Sequence, residues 1–149
     1  MKLFKEKADN VMVVNTELYT GVKDVLQTLK AKGYKTAIVT TKFHYRIEQI
    51  LNKFHANELI DMIVGAEDVK AKKPNPEGLL WAIEHLKVKN EEVLYVGDSL
   101  VDAKTAENAK VDFIAVLTGT TTKDEFRGYP NAFIGENILE VCKYVLTLK

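Results

Sequence analysis

The sequence predicts an α/β domain, a parallel sheet with helices on both faces. Three observations point there. Short apolar runs of strand length alternate with helical stripes from about residue 20 onward, and the connections between them are short. A chain of 149 residues, 46% of them hydrophobic, fits one domain that buries about 70% of its unfolded surface.

The elements follow in order. Val22, Val25, Leu26 and Leu29 fall at i, i+3, i+4 and i+7, one stripe of a helix that Thr20 can cap and Gly33 can stop. Tyr34 to Thr40 is a mostly apolar strand. Phe43, Ile47, Ile50, Leu51 and Phe54 make a second helical stripe, and Met62 to Val64 a short strand. Asn75-Pro76-Glu77 signals a helix start, with Leu79, Leu80, Ile83 and Leu86 on its apolar face. Val93 to Val96 is a strand, Asp102 to Ala109 a short helix, Phe113 to Leu117 a strand and 138–148 a final helix. The aromatics Tyr34, Tyr45, Trp81 and Tyr95 read as packing residues, and His44, His55 and His85 as surface or helix-face residues. The first 19 residues fit less well. Leu3 to Ala8 is charged and helix-prone, whereas Val11 to Val14 is β-branched and strand-prone.

Composition excludes several classes. The 21 basic and 21 acidic side chains leave no net field to draw the chain onto nucleic acid or anionic lipid. A single cysteine, Cys142, forms no internal disulfide framework or cysteine-based zinc cluster. No apolar run approaches the ~18–20 residues that cross a bilayer, and the first residues carry no signal-peptide core. The expectation is a soluble cytoplasmic protein.

In doubly wound, Rossmann-like sheets, ligands bind beyond the carboxyl ends of the strands, where the strand order reverses. Candidate chemistry therefore lies in Thr40-Thr41-Lys42, in Lys72-Lys73, in Gly97-Asp98-Ser99-Leu100-Val101-Asp102 and in Thr118-Gly119-Thr120. Acids, a lysine and hydroxyls there suit a phosphate ester held with Mg²⁺. Asp98 offers a hard oxygen ligand to the metal. Lys73 offers a point cation for phosphate charge, and the Thr40 hydroxyl and Thr41 amide offer donors. Each piece also has a plainer reading: turn residues at a strand end, a solvated basic loop, or a turn followed by a helix cap. Their ordered recurrence at successive strand ends favours the site.

These residues resemble the haloacid dehalogenase-like (HAD) hydrolase superfamily, most closely its phosphoglycolate-phosphatase-like branch. Tyr19-Thr20-Gly21-Val22 looks like the lead-in to the second motif. Ala37-Ile38-Val39-Thr40-Thr41-Lys42 is similar to that motif, Lys73-Pro74-Asn75-Pro76 to the third, and Val96 to Asp102 to the acidic fourth. The resemblance implies phosphate binding by Thr40, Thr41 and Lys73 and metal binding by Asp98. It also implies that Asp102 orients Lys73 or a metal-bound water. Lys73 and Asp102 are thus the expected catalytic residues, small-molecule phosphate esters the substrates and magnesium the cofactor.

The family's first motif, Asp-x-Asp-Gly-Thr after an N-terminal strand, has no counterpart in this chain. Its first Asp is the nucleophile and its second the general acid/base, so no nucleophile is assigned and magnesium is expected to bind weakly or not at all. Residues 1–18 resemble the last cap helix, with Phe4 to Ala8 as that helix, and its return arm; residues 19–149 resemble the core domain. An altered motif at Val11 to Glu17, with Asn15 and Glu17 in the two acid positions, would still lack a carboxylate nucleophile.

The central strand of the HAD-like sheet is thus expected to be missing or replaced. Asn10 to Asn15 is the expected occupant of the slot, from the same chain or by exchange in a homodimer. The favoured function is a phosphate-monoester hydrolase in truncated form, inactive as the isolated chain. The alternatives are a non-enzymatic descendant that binds phosphate esters or a protein partner, and an enzyme using another acid such as Glu17 or Asp9.

Overall fold

The computed structural model describes residues 2–5 and 16–148, with side chains from residue 21 onward. Six parallel strands form one sheet in the order β3-β2-β1-β4-β5-β6. They are β1 (Lys2–Lys5), β2 (Lys35–Val39), β3 (Met62–Val64), β4 (Val93–Gly97), β5 (Asp112–Val116) and β6 (Phe133–Gly135). The helices are α1 (Thr16–Ala31), α2 (His44–Lys53), α3 (Glu77–His85), α4 (Leu100–Ala109), α5 (Lys123–Phe126) and α6 (Ile138–Leu146). The chain winds outward from β1 to β3 and then from β4 to β6, so the strand order reverses between β1 and β4.

The centre of the sheet is filled, and not by the expected segment. Leu3 pairs with Thr36 of β2 and Leu94 of β4, and Lys5 pairs with Ile38 and Val96. Phe4 and Lys5 are therefore strand, where the cap-helix reading made them helix. Lysine and glutamate favour a helix by propensity, but two strand partners satisfy the backbone on both sides and outweigh that preference. Residues 6–8 of the expected cap helix, Asp9 and the expected strand Asn10 to Asn15 lie outside the described residues. With β1 in place, an open sheet centre no longer argues for strand exchange. The sheet edges are β3 and β6, each three residues long.

Strand alternation divides the core by face. Val93 and Tyr95 of β4 and Phe113 and Ala115 of β5 join Leu79, Ala82 and Ile83 of α3 and Ala103 and Ala106 of α4. Leu94, Val96, Ile114 and Val116 point the other way, onto Val25 and Leu29 of α1 and Val141 and Val145 of α6. Every residue of β4 is buried, as expected for a parallel strand covered on both faces. A third cluster joins Ile38 of β2 to Ile47 and Leu51 of α2.

Boundaries shift in instructive ways. Helix α1 begins at Thr16, a turn before the expected cap at Thr20, which places Glu17 in a helix and not just beyond a strand. Tyr95 is fully buried, but Tyr45 is 53% exposed and stacks on Phe43, and Trp81 stacks on His85 at the surface. The small elements β6 and α5 went unanticipated. Thr122 caps α5, its Oγ1 accepting from Glu125 N (3.2 Å) while Glu125 Oε1 accepts from Thr122 N (2.9 Å). The Thr122 N–H and then its hydroxyl hold the exposed Glu125 carboxyl below its ordinary range.

A depressed acid stabilises the fold above its unfolded pKa, about 4.3, and that contribution is lost as pH falls through the lower folded value. Thr122→Val keeps the backbone donor and removes the hydroxyl, so it should flatten part of the acid limb of the stability–pH curve below about pH 4.3, read by urea unfolding at a series of pH values. Lys110 closes α4 in the left-handed region at φ 60°. There Lys110→Gly should raise stability by about 0.5–1 kcal/mol, read as a higher urea midpoint at unchanged slope.

Candidate functional site

Strand order reverses between β1 and β4, and the residues that follow β2 and β4 flank that point. Thr40, directly after β2, donates its N–H to Val64 O (3.0 Å), and its Oγ1 accepts from Lys42 N (3.1 Å). The loop after β3 is locked onto the start of α2. Ala66 N donates to Lys42 O (2.8 Å), His44 N donates to Glu67 Oε1 (2.8 Å), and the His44 ring lies 3.2 Å from Asp68 Oδ2. A Cβ on Gly65 would lie 2.6 Å from His44 N, so only glycine permits this approach.

Lys73 comes from the loop between β3 and α3. Glu77, the first residue of α3, accepts from Lys70 N and Ala71 N, each at 3.0 Å, and so gathers the approach to Lys73. The helix starts one residue later than expected: Asn75 Oδ1 accepts from Glu77 N (2.9 Å) and Pro76 takes the capping position. Lys73 Nζ then reaches Asp102 Oδ1 at 3.0 Å, across 29 residues of sequence.

Asp102 is the hub of the acidic loop. It is 1% exposed, and its Oδ2 accepts from Asp98 N (3.1 Å) and Ser99 Oγ (2.9 Å). Ser99 also caps α4, its Oγ accepting from Asp102 N (3.2 Å). The turn is tight enough that a Cβ on Gly97 would lie 2.4 Å from the Asp102 Cβ. Asp98 is 7% exposed, and the backbone of Gly119 runs against its carboxylate, where a Cβ would come within 2.9 Å of Oδ2.

The expected site residues come together in two overlapping groups. Thr40, Thr41 and Lys73 line one pocket with Lys72, Asn75 and Gly78. Lys73, Asp98 and Asp102 belong to one hydrogen-bond network, with Lys73 common to both groups. The sequence reading missed the bond from Ser99 to Asp102, the close approaches at Gly97 and Gly119, and the grip of Glu77 on the loop. A glycine just before the acidic run was the available signal for the first approach. Cys142 lies in the core as expected, where burial pushes its thiol up, away from the reactive thiolate.

A carboxylate oxygen is the ligand type a hard cation takes, and the carboxylate of Asp102 is already engaged by Lys73 and Ser99. Asp98 supplies a carboxylate, and no cluster of three His, Cys, Asp or Glu side chains able to hold a metal occurs among the described residues. Magnesium needs only one or two protein carboxylates and keeps several waters. Among the described residues, no helix is long and apolar enough to cross a membrane.

A doubly wound sheet with an acid–lysine pair in the loops at its strand ends defines a class of α/β protein whose ligands bind beyond the carboxyl ends of the strands. Residues 1–116 match the haloacid dehalogenase-like hydrolase family, and the chain belongs to that family. It is 36% identical over 118 residues to the pyrophosphatase PpaX of Halalkalibacterium halodurans, covering 79% of this chain and 55% of the relative. It is 28% identical over 129 residues to the phosphoglycolate phosphatase of Colwellia psychrerythraea, covering 87% and 57%. The chain thus spans about half the length of the curated relatives it matches. A crystal structure of a haloacid dehalogenase-like hydrolase from Bacteroides fragilis superposes with TM-score 0.77 at 44% identity, over 79% of this chain and 56% of that one. A HAD-superfamily hydrolase of subfamily IA from Geobacter sulfurreducens gives 0.70 at 29% identity, over 84% and 54%.

Gly97→Ala tests how closely the hub is packed. A methyl group there meets the Asp102 side chain at Cβ, Cγ and Oδ2, so stability should fall by about 1–3 kcal/mol in urea unfolding.

Proposed function

We propose that this chain binds the phosphoryl group of a small phosphate ester at the reversal point of the sheet and lacks turnover as an isolated chain. Thr40, through its hydroxyl, and Thr41, through its amide, donate to phosphoryl oxygens. Lys73 supplies the positive charge, held in place by Asp102. Asp98 would hold Mg²⁺, which when bound neutralises charge on those oxygens. The lysine carries three N–H donors, enough to serve Asp102 and an anion together. The observation that carries this reading is Lys73 itself. Its ammonium lies 3.0 Å from a buried carboxylate, and the residue lines the same pocket as Thr40 and Thr41.

The inactivity rests on residue chemistry. Covalent phosphoryl transfer in this family uses a carboxylate nucleophile from an Asp-x-Asp-Gly-Thr motif, and this sequence contains no such motif. The remaining groups position and stabilise, and do not replace the bond-forming carboxylate. The likeness to phosphoglycolate phosphatase and PpaX supports a small phosphate ester or phosphoanhydride.

Calorimetry with inorganic phosphate in the presence of Mg²⁺, beside a chromogenic phosphate-monoester assay, tests the proposal. Binding without turnover is expected. Lys73→Met should weaken phosphate binding by about tenfold or more, the size of a lost charge-assisted hydrogen bond. Absence of phosphate binding would overturn the site. Turnover that disappears in Asp98→Asn would overturn the inactivity.

A further inference from the structure

The loop that carries Lys73 is also tied to the helix that carries its partner. Asn108 lies on α4, six residues after Asp102, and its Nδ2 donates to Pro74 O at 2.9 Å. Pro74 directly follows Lys73. Helix α4 therefore holds this loop twice, once through the Lys73–Asp102 pair at 3.0 Å and once through the backbone next to it. On the other side of Lys73, the Glu77 carboxylate takes Lys70 N and Ala71 N, and Lys72 O accepts from Asn75 N at 3.0 Å. Lysine has four rotatable side-chain bonds, so the place of its ammonium depends on where its backbone is fixed. The Glu77 and Asn75 bonds fix the loop to itself and to α3. Asn108 fixes its backbone to the helix bearing Asp102.

We propose that Asn108 is a positioning residue: by holding Pro74 O it sets the distance from Lys73 Nζ to Asp102 and to the anion pocket. Asn108 touches no part of that pocket and acts only through Lys73. The inference rests on the phosphate-binding reading for its functional consequence, but not for its effect on Lys73. Asn108 is exposed and in the last turn of α4, where alanine is a better helix former than asparagine, so Asn108→Ala should fold.

Two readouts on the full chain test it. The first is the side-chain ammonium resonance of Lys73 in ¹⁵N NMR, assigned with Lys73→Met. The second is the affinity for inorganic phosphate by calorimetry, in wild type, Asn108→Ala, Lys73→Met and the double variant. Asn108→Ala should shift or broaden the Lys73 ammonium signal and weaken phosphate binding about three- to tenfold. In the Lys73→Met background the same change should leave the affinity unaltered, because the two residues act in series. Asn108→Gln, which keeps the amide donor, should recover part of both effects. An unchanged ammonium signal in Asn108→Ala would overturn the proposal, and so would an equal loss of affinity with and without Lys73. If the wild type binds no phosphate, the phosphate reading fails. The ammonium signal then decides alone, its perturbation in Asn108→Ala supporting the positioning role and its constancy refuting it.

Discussion

The carboxylate of Asp102 is the constraint on which the site depends. One buried group accepts from a lysine on one loop, from the backbone N–H of Asp98 and from the hydroxyl of Ser99. Leaving such a group without its cation would cost about 3–5 kcal/mol, because the remaining charge is buried and cannot be rehydrated. The loop after β3, the end of β4 and the first turn of α4 are consequently one mechanical unit. The glycine at position 97 follows from this crowding: no side chain fits where the acid folds back over the turn.

Much of this architecture was legible in the sequence, for identifiable reasons. Strands β4 and β5 are continuous apolar runs because both of their faces are covered, and the α1 stripe is written at helical spacing because one face meets the sheet. Thr40, Lys73, Asp98 and Asp102 were legible because each sits at a strand end or the loop beside one. What was not legible has a common cause. Tyr45 and Trp81 are apolar enough to read as core, yet their stacking partners are neighbours on the surface. Strand β6 is three residues, too short to show a period. The contacts of Glu77, Ser99 and Gly119 are set by tertiary geometry, which local sequence does not encode.

The N-terminal strand shows the same principle most sharply. Lys2–Lys5 reads locally as helix-compatible and charged, and its neighbour Val11 to Val14 reads as the better strand. A central position in a parallel sheet rewards hydrogen-bonding partners on both edges more than side-chain preference. Four residues with complete pairing to β2 and β4 meet that requirement. The unpaired edges of β2 and β4 were therefore the right ground for expecting a strand in the slot, and propensity was the wrong ground for choosing which residues form it.

The filled centre also changes what the site can be. With β1 seated, the ends of β2 and β4 stand on either side of a third strand end, and Thr40 and Asp98 are held at a fixed separation by a continuous hydrogen-bonded ladder. Under the proposed function, a pocket assembled on such a ladder needs little ordering on binding, which lowers the entropic cost of taking an anion. The Lys73–Asp102 pair is preorganised in the same way, the ammonium being held 3.0 Å from a buried carboxylate. Preorganised charge of this kind stabilises a phosphoryl group whether or not a nucleophile is present. Under the proposed function, anion binding and bond breaking are separable: the first draws on the loops after β2 and β4 and the lysine between them, while the second needs a nucleophilic carboxylate of the Asp-x-Asp-Gly-Thr kind, which the sequence does not contain.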